Sequence, residues 1–328
     1  MKILLTGGAG YVGSRLAAHL VSAGHDLTVY DLLVYGGVGL LPFAGNSRFR
    51  LVKGDVRDQG ALGQAMRGVD AVIHLAALVG EDACSLDERV TVEVNRDAAI
   101  TAMRLAEDAG VERFTFVSTC SNYGVSDPQS LADEDSPLNP LSLYAKTKVD
   151  VEREVLQHGG HTSCTVLRLG TICGLSARMR FDLLVSEMAR AGALGLPIKI
   201  YKPEAWRPYL HVADVGRVME CVIAAPKRQI AARVFNVVGE NYQKFGLLQL
   251  VRKHYPGAEV SVVAGSPDNR DYRVSAARIE RELGFTSAHT VEQAFVETAA
   301  AVRDGVFIDP LWEGHSAIPL GSRAKVAV

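Results

Sequence analysis

The chain has 328 residues and a formal net charge of −2, and 48% of its residues are hydrophobic. This length and composition are typical of a globular enzyme with one large domain or two closely associated ones. A near-neutral charge without a basic stripe argues against nucleic acid as a partner, and no apolar stretch is long enough to span a bilayer.

The first residues lead directly into a glycine loop, which leaves no room for a signal peptide, so we expect a cytoplasmic protein. Five cysteines agree with a reducing compartment, because they are odd in number and too scattered to suggest a metal site or a disulfide framework. They stand at positions 84, 120, 164, 173 and 221.

Short apolar runs alternate with stretches of helical periodicity through the first half of the chain. The predicted strands are Lys2–Thr6, Leu27–Tyr30, Arg50–Val52, Ala71–Leu75, Phe114–Ser118 and Thr165–Leu169. The predicted helices are Tyr11–Ala23, Val90–Ala109 and Ser142–Leu156. This alternation indicates βαβ units with right-handed crossovers, and therefore a doubly wound parallel Rossmann sheet in an α/β protein.

Prolines break the second half into shorter pieces. Phe181–Met188 is predicted as an apolar helix, Tyr209–Ala224 as a strand and helix that return to the sheet, and Arg233–Val237 as a further strand. We therefore expect a smaller, interleaved C-terminal substrate domain. The predicted boundaries are 1–173 and 209–238 for the Rossmann domain, with 174–208 and 239–328 for the substrate-binding domain.

The glycine loop after the first strand carries Gly7, Gly10 and Gly13 and opens a helix. Glycine lets the backbone approach a pyrophosphate, and the helix N-terminus offers free amides and a favourable dipole. Asp31 lies 18 residues beyond Gly13, at the end of the second strand, where a carboxylate accepts hydrogen bonds from the adenosine ribose. This carboxylate would repel the extra phosphate of NADP, so NAD is the predicted cofactor.

A further acidic residue, Asp55, follows the third strand. It is either a contact of the adenine amino group or a turn residue, and Asp58 fits the role of a helix N-cap at least as well.

Tyr144 and Lys148 are four residues apart and share one face if their segment is helical. A nearby ammonium favours the phenolate, so we expect the pKa of Tyr144 to be lowered and the phenol to serve as a general base. Lys148 also has the reach to hold the nicotinamide ribose. The alternative for this common spacing is a surface tyrosine beside a solvated lysine.

The hydroxyls of Ser118 and Thr119 stand just past a predicted strand, at the edge of the sheet where such folds bind ligands. Either hydroxyl would bind the reacting oxygen and relay a proton to Tyr144; the alternative is that both merely end the strand. Three histidines are assigned no metal: His74 is predicted to be structural, and His158 and His161 lie among glycines with no carboxylate beside them in the sequence.

Together these motifs resemble an extended short-chain dehydrogenase/reductase of the NAD-dependent epimerase/dehydratase family, which acts on nucleotide sugars. The resemblance covers nearly the whole chain and weakens after about residue 240. The matching cofactor motifs contain Gly7, Gly10, Tyr11, Val12, Gly13, Asp31, Asp55, Val56, Leu75, Ala76, Ala77 and Asn95. The later matches are Ser-Thr-x-x-x-Tyr-Gly at 118–124, Tyr-x-x-x-Lys at 144–148, Leu-Arg-Leu-Gly at 167–170 and Arg-Pro-Tyr-Leu-His-Val-x-Asp at 207–214.

The resemblance implies a catalytic triad of Thr119, Tyr144 and Lys148 that works with bound NAD. Tyr144 would take a proton from a sugar hydroxyl while hydride passes to NAD. The keto sugar either takes hydride back on its other face, as in an epimerase, or leaves, as in a dehydrogenase. The family also implies a homodimer, paired through the helices near 90–109 and 141–157.

Two positions after Thr119 bear on the reaction. Nucleotide-sugar 4,6-dehydratases of this family typically have Asp-Glu there as acid and base, whereas this chain has Cys120 and Ser121, which argues against dehydration. Some 3,5-epimerases of the family use an active-site cysteine, but their cysteine aligns with Ser121. Cys120 is therefore either a proton-abstracting residue or a buried packing residue.

The resemblance places substrate contacts in the second half. Arg207 aligns with an arginine that contacts the substrate phosphates or ribose, and Thr171 and Arg180 are further candidates, as is Arg178. An arginine of relatives is missing near 265–268, and Arg270 or Arg273 is expected to replace it. The leading reading is an epimerase, with a dehydrogenase or ketoreductase as the alternative and an NAD-binding protein without chemistry as a third.

Overall fold

A computed structural model describes residues 1–126, 130–265 and 268–317. Its largest element is a seven-stranded parallel sheet in the order β3-β2-β1-β4-β5-β6-β10. The strands of the chain are β1 (Lys2–Thr6), β2 (Asp26–Asp31), β3 (Phe49–Lys53), β4 (Ala71–His74), β5 (Arg113–Thr119), β6 (Ser163–Leu169), β7 (Thr171–Cys173), β8 (Ile198–Tyr201), β9 (Trp206–His211), β10 (Arg233–Val237), β11 (Glu240–Gln243) and β12 (Val260–Val263). The strand order reverses at β1, so the predicted doubly wound Rossmann fold is confirmed.

Some helices cover both faces of this sheet, and others pack against one another outside it. The helices are α1 (Tyr11–Ser22), α2 (Gln59–Met66), α3 (Glu81–Leu86), α4 (Glu88–Val92), α5 (Ala98–Asp108), α6 (Leu143–Gln157), α7 (Leu184–Leu194), α8 (Val212–Ala224), α9 (Lys227–Ile230), α10 (Lys244–His254), α11 (Ala277–Leu283) and α12 (Val291–Arg303). Apolar side chains of α1 and α8 form one core with the sheet, and those of α2, α5 and α6 form the other. The strands are consequently buried on both faces, as near-continuous apolar sequences require.

The predicted return of residue 209 to the main sheet is wrong. Strand β9 pairs with β7 and β11 in a separate three-stranded sheet, and only β10 joins the main sheet beside β6. The helix that follows β9 does pack against α1 on the Rossmann layer. Because β7 also belongs to the small sheet, the predicted boundary after residue 173 falls at the end of that sheet's first strand. The division into two domains stays a prediction.

Two predicted helices differ from the observed ones. The stretch Val90–Ala109 contains α4, one π-helical turn at Glu93–Asp97, and α5. The helix expected at Phe181 begins at Leu184, because the amide of Phe181 donates to the carbonyl of His315 instead of entering a helix. No helix among the described residues is long and apolar enough to cross a membrane.

Candidate active site

The glycine turn is closely packed on one side and open on the other. Gly7 has a φ of +74°, and a Cβ there would lie 2.7 Å from the amide nitrogen of Ala76. Gly10 precedes α1 as its N-cap without a side-chain cap, and a Cβ there would meet only the Gly7 carbonyl, at 3.4 Å. A side chain at Gly10 would therefore project into the space above the free amides of α1, which is the space that a pyrophosphate needs.

Asp31 is fixed beside this turn. Its carboxylate accepts hydrogen bonds from the amides of Ala9, at 2.9 Å, and Leu33, at 2.7 Å. Burial raises the pKa of this carboxyl, and the two amide donors lower it. The turn thereby holds the acidic group at the carboxyl end of β2, where the sequence analysis places the adenosine ribose.

Hydrogen bonds hold the loop after β4 to Thr6, just before the glycine turn, and to Asn95 in the π-helical turn. The amides of Leu75 and Ala76 both donate to the Thr6 hydroxyl at 3.2 Å, and Ala77 follows, half-buried. Asn95 is buried and bonds both the amide and the carbonyl of Leu78, at 2.8 and 2.9 Å. Asn95 therefore shapes this loop by fixing its backbone, and π-helical turns of this kind often accompany functional sites.

Four predicted cofactor residues make protein contacts. Tyr11 is buried and its hydroxyl donates to the carbonyl of Gly174 at 2.6 Å, which ties the glycine turn to the start of the substrate half. Val12 packs against the core below it, and Val56 is buried in the core. Asp55 is bound by Arg57 at 2.6 Å, which holds the pKa of its carboxyl low, while Asp58 caps α2 through the amide of Ala61.

Tyr144 and Lys148 lie one turn apart on α6, as predicted. Ser142 caps the helix by accepting from the amide of Ala145, so Tyr144 stands in the first turn. The Lys148 ammonium is 5.9 Å from the centre of the Tyr144 ring and donates to the carbonyl of Val117 at 2.9 Å. Tyr144 is half-buried and Lys148 buried, so the alternative of a solvated surface pair does not hold.

The expected lowering of the Tyr144 pKa is wrong for the protein alone. Burial raises the pKa of its phenol well above the usual value, while the charges of Arg180 and Arg270 and a hydrogen bond with Thr119 lower it. Burial also lowers the pKa of Lys148, to about 8. Burial removes both side chains from water and so disfavours both charged forms. The four-residue spacing predicts that the two side chains are close, but not how deeply they are buried.

Thr119 and Ser118 point to different surroundings. Thr119 is at the end of β5, and its hydroxyl accepts from the amide of Ser121 at 3.1 Å and bonds Tyr144. Ser118 donates to the buried carboxylate of Glu152, on the opposite side of the strand end. The geometry therefore favours Thr119 over Ser118 as the hydroxyl beside the reacting oxygen.

A buried ion pair joins α6 to β6, and the sequence analysis did not predict it. Glu152 on α6 and Arg168 on β6 are 1% and 3% exposed, and their closest atoms are 2.6 Å apart. Arg168 also donates to the hydroxyl of Tyr123, and Asn122 donates to Glu152 at 2.8 Å. The network anchors α6 to β5 and β6. Tyr123 and Arg168 lie in motifs that match the family, but no local pattern showed that they meet Glu152.

Cys120 lies in the core. It is fully buried, its thiol donates to the carbonyl of Arg168 at 3.2 Å, and burial raises its pKa far above the usual value. This placement favours packing over proton abstraction. Ser121, the next residue, is the one that faces the substrate half, since its hydroxyl accepts from Arg270 at 3.1 Å.

The predicted arginines of the substrate half meet around Asp268. Arg207 is 4% exposed and donates to Asp268 at 2.9 Å, and Arg270 binds the same carboxylate through two nitrogens, at 2.8 and 2.9 Å. Arg207 is therefore held by Asp268, and Arg270 connects the same carboxylate to Ser121, in the turn after β5. Arg273 instead lies over the ring of Trp206.

Arg180 lies close to Tyr144 and pairs with Asp182 at 2.6 Å. Arg178 stacks on Tyr35 at 3.9 Å and donates to the carbonyl of Ser316. Thr171 is half-buried at the start of β7, where it pairs with Tyr209.

His158 and His161 do have a carboxylate beside them. Glu107 contacts both rings, at 2.9 and 2.5 Å, because α5 passes next to the end of α6. Within the described ranges, no three His, Cys, Asp or Glu residues form a group that would hold a metal ion. His74 is fully buried, bonds Thr6 and stacks between Phe114 and Phe116.

The model of the NAD dependent epimerase/dehydratase family matches residues 3–238. The chain is 29% identical over 327 residues to a UDP-glucose 4-epimerase of Corynebacterium glutamicum, covering 92% of this chain and 95% of that one. It is 31% identical over 317 residues to a dTDP-glucose 4,6-dehydratase of Streptomyces griseus, covering 91% and 93%.

Among solved structures, the chain resembles DesIV, a dTDP-glucose 4,6-dehydratase from Streptomyces venezuelae crystallised with NAD. The TM-score is 0.83 at 28% identity, with 96% of this chain and all of that one covered. Epimerases and dehydratases thus occur together among the relatives.

Proposed function

The chain belongs to the NAD-dependent epimerase/dehydratase family, and we propose that it is a nucleotide-sugar epimerase that keeps its NAD through the catalytic cycle. Family membership confirms the resemblance and the predicted cofactor. The choice of epimerisation within the family rests on the residues around Thr119 and Tyr144.

The described residues fit NAD. The open side of Gly10 and the free amides of α1 suit the pyrophosphate, and Asp31 suits the adenosine ribose. Lys148, from the catalytic helix, suits the nicotinamide ribose. Bound there, NAD would supply the hydride acceptor and donor for redox at a sugar carbon.

Tyr144 takes the proton of the sugar hydroxyl, and Thr119 orients that hydroxyl through its own. Because burial alone holds the Tyr144 pKa high, cationic neighbours are needed to bring the phenol into a useful range. Arg180 and Arg270 already act in this direction. After the keto sugar has rotated, the same phenol returns the proton to the oxygen.

The observation that carries the choice of epimerisation is the pair that follows Thr119. Elimination of water needs an acid and a base beside the departing hydroxyl. Here Cys120 is a buried thiol, and Ser121 is a hydroxyl bonded to Arg270. Neither is a carboxylate, which supports redox at one carbon without elimination.

The test starts from the purified protein, assayed with UDP-glucose and dTDP-glucose without added cofactor. We expect tightly bound NAD, an epimeric product and no net absorbance change at 340 nm. Tyr144→Phe should retain NAD but lose about 10²–10⁴-fold in turnover, the usual contribution of a general base.

Three results would point elsewhere. Turnover only with added cofactor, consumed mole for mole, would make the protein a dehydrogenase or ketoreductase. Normal turnover in Tyr144→Phe would contradict the catalytic assignment. Bound NAD without any turnover on a wide panel of nucleotide sugars would favour a non-catalytic NAD-binding protein. The homodimer and the cytoplasmic location stay predictions.

A further inference from the structure

A cavity of about 230 Å³ lies among residues 184–268, and Tyr144 is not part of its lining. Its lining combines residues of α7, of β8, of the first turn of α10 and of the loop after β12. The lining residues are Leu184, Glu187, Lys199, Ile200, Tyr201, Lys244 and Asp268. Lys244 is unusual among them because its residue is only 7% exposed.

Lys244 stands within a cluster of cations. Burial lowers the pKa of its ammonium, the charges of Arg207, Arg270 and Lys202 lower it further, and Asp268 acts in the opposite direction. Arg207 and Arg270 both bind Asp268, and Lys202 and Lys244 lie near them. Glu187 and Lys199, which also line the cavity, offset each other in charge, so this part of the protein has an excess of positive charge that suits an anion with more than one negative charge.

The Lys244 ammonium has donors to spare. It makes one hydrogen bond in the described part of the chain, to the carbonyl of Tyr201 at 3.2 Å, whereas an ammonium has three N–H groups. Burying a lysine beside other cations is costly unless an anion offsets the charge. The unused donors stand at the wall of a cavity, where they are available to a bound anion.

The neighbouring backbone supports a binding role. Lys202 has a φ of +46°, a conformation that non-glycine residues rarely adopt, and its ammonium reaches Asn269 at 3.0 Å. Strained backbone of this kind is found at ligand-binding positions. In this conformation the Lys202 ammonium reaches the loop that carries Asp268 and Arg270, and its positive charge adds to the cluster.

We propose that Lys244 binds the diphosphate of the substrate, together with Arg270. This inference rests on the proposed function, since it assumes a nucleoside diphosphate sugar. It also accounts for Gly265, which stands where the resemblance to the family implies an arginine. The positive charge comes instead from the start of α10, a segment in which no sequence motif pointed to substrate.

The test measures the affinity of the NAD-containing protein for UDP and dTDP and for the matching nucleosides, uridine and thymidine. Lys244→Met should weaken binding of the tighter diphosphate by about 10- to 100-fold, the range for a charge-assisted hydrogen bond. Binding of the nucleoside should change less than about twofold, because it has no phosphate. Lys244→Arg keeps the charge and should stay within about tenfold of the wild type.

The control is Lys253→Met. Lys253 lies on the same helix, is well exposed and pairs with Glu292 at 2.7 Å, so its removal changes the net charge equally without touching the cavity. We expect unchanged diphosphate affinity. Bound NAD in each variant shows that it is folded.

The outcomes distinguish failure of the Lys244 proposal from failure of the proposed function. Equal loss of nucleoside and diphosphate binding in Lys244→Met, or no loss of either, would overturn the role of Lys244 and leave the proposed function intact. A wild-type protein that binds neither diphosphate would overturn both. If Lys244→Met does not retain NAD, Lys244→Gln takes its place, and diphosphate affinity equal to that of the wild type would overturn the proposal.

Discussion

At the scale of single residues, Tyr144 and Lys148 show how burial disfavours the charged form of a side chain. Tyr144 and Lys148 share one face of α6, but each is removed from water, so the pKa of the phenol rises and that of the ammonium falls to about 8. The spacing predicted the pair, because helical geometry is local. It could not predict the pKa values, which depend on Arg180, Arg270 and Thr119 from distant segments.

The lowered pKa of Lys148 makes a stability prediction. Between about pH 8 and 10.5 the unfolded chain binds more protons than the folded one, so stability rises with pH in that window and the cost is complete below pH 8. Lys148→Met should therefore make the NAD-free protein more stable at pH 7 by about 1–3 kcal/mol. The gain should disappear as the pH approaches 10.5. Urea unfolding at several pH values measures it.

Lys146→Met is the matched control, since Lys146 lies on the same helix and is exposed. Its effect should stay within about 0.5 kcal/mol at every pH. If Lys148→Met shows the same small, pH-independent change, the buried ammonium of Lys148 does not destabilise the folded protein.

At the scale of elements, local patterns predicted most strands of the main sheet but not every partner. The strand near Tyr209 was foreseen and its sheet was not, because hydrophobic periodicity reports burial and not pairing. The delayed start of α7 has a similar cause: the amide of Phe181 bonds His315, about 130 residues later in the chain. Contacts of this kind have no local signature.

The segment near residues 313–317 crosses between the two halves of the protein. The carbonyl of Ala317 accepts from the Tyr35 hydroxyl at 2.6 Å, and the amide of Ala317 donates to Asp182 at 3.2 Å. Ala317 also lies against Gly80, in the loop after β4. The segment thus joins the loop after Asp31 to the loop after β4, the two loops that flank the glycine turn.

We expect this segment to slow the release of NAD. Tyr35→Phe removes one buried hydrogen bond, worth about 1 kcal/mol, and should speed NAD dissociation by roughly fivefold. Stopped-flow displacement of bound NAD measures the rate. Tyr255→Phe is the control, because Tyr255 packs on Phe295 far from Ala317. Equal rates for the wild type and Tyr35→Phe would show that the segment does not hold the cofactor.

At the scale of the whole molecule, the cofactor half could be foreseen and the substrate half could not. The glycine turn, Asp31 and the catalytic helix each follow a strand of one sheet, so their sequence order predicts their meeting place. Arg207, Lys244, Asp268 and Arg270 come from separate segments whose meeting depends on the small sheet. Arg207 was expected to contact substrate, which stays a prediction, and it is bound to Asp268; Lys244 lies in no motif that the sequence analysis singled out.

The central claim is redox at one carbon without elimination, and conversion of a nucleotide sugar in D₂O tests it most directly. We predict a product with the mass of the substrate, one inverted centre and no deuterium on carbon, because the hydride returns from NAD and Tyr144 exchanges protons only with oxygen. A product lighter by one water with deuterium on carbon would establish a dehydratase. Deuterium beside the former ketone without loss of water would establish a 3,5-epimerase, and either result would contradict the claim.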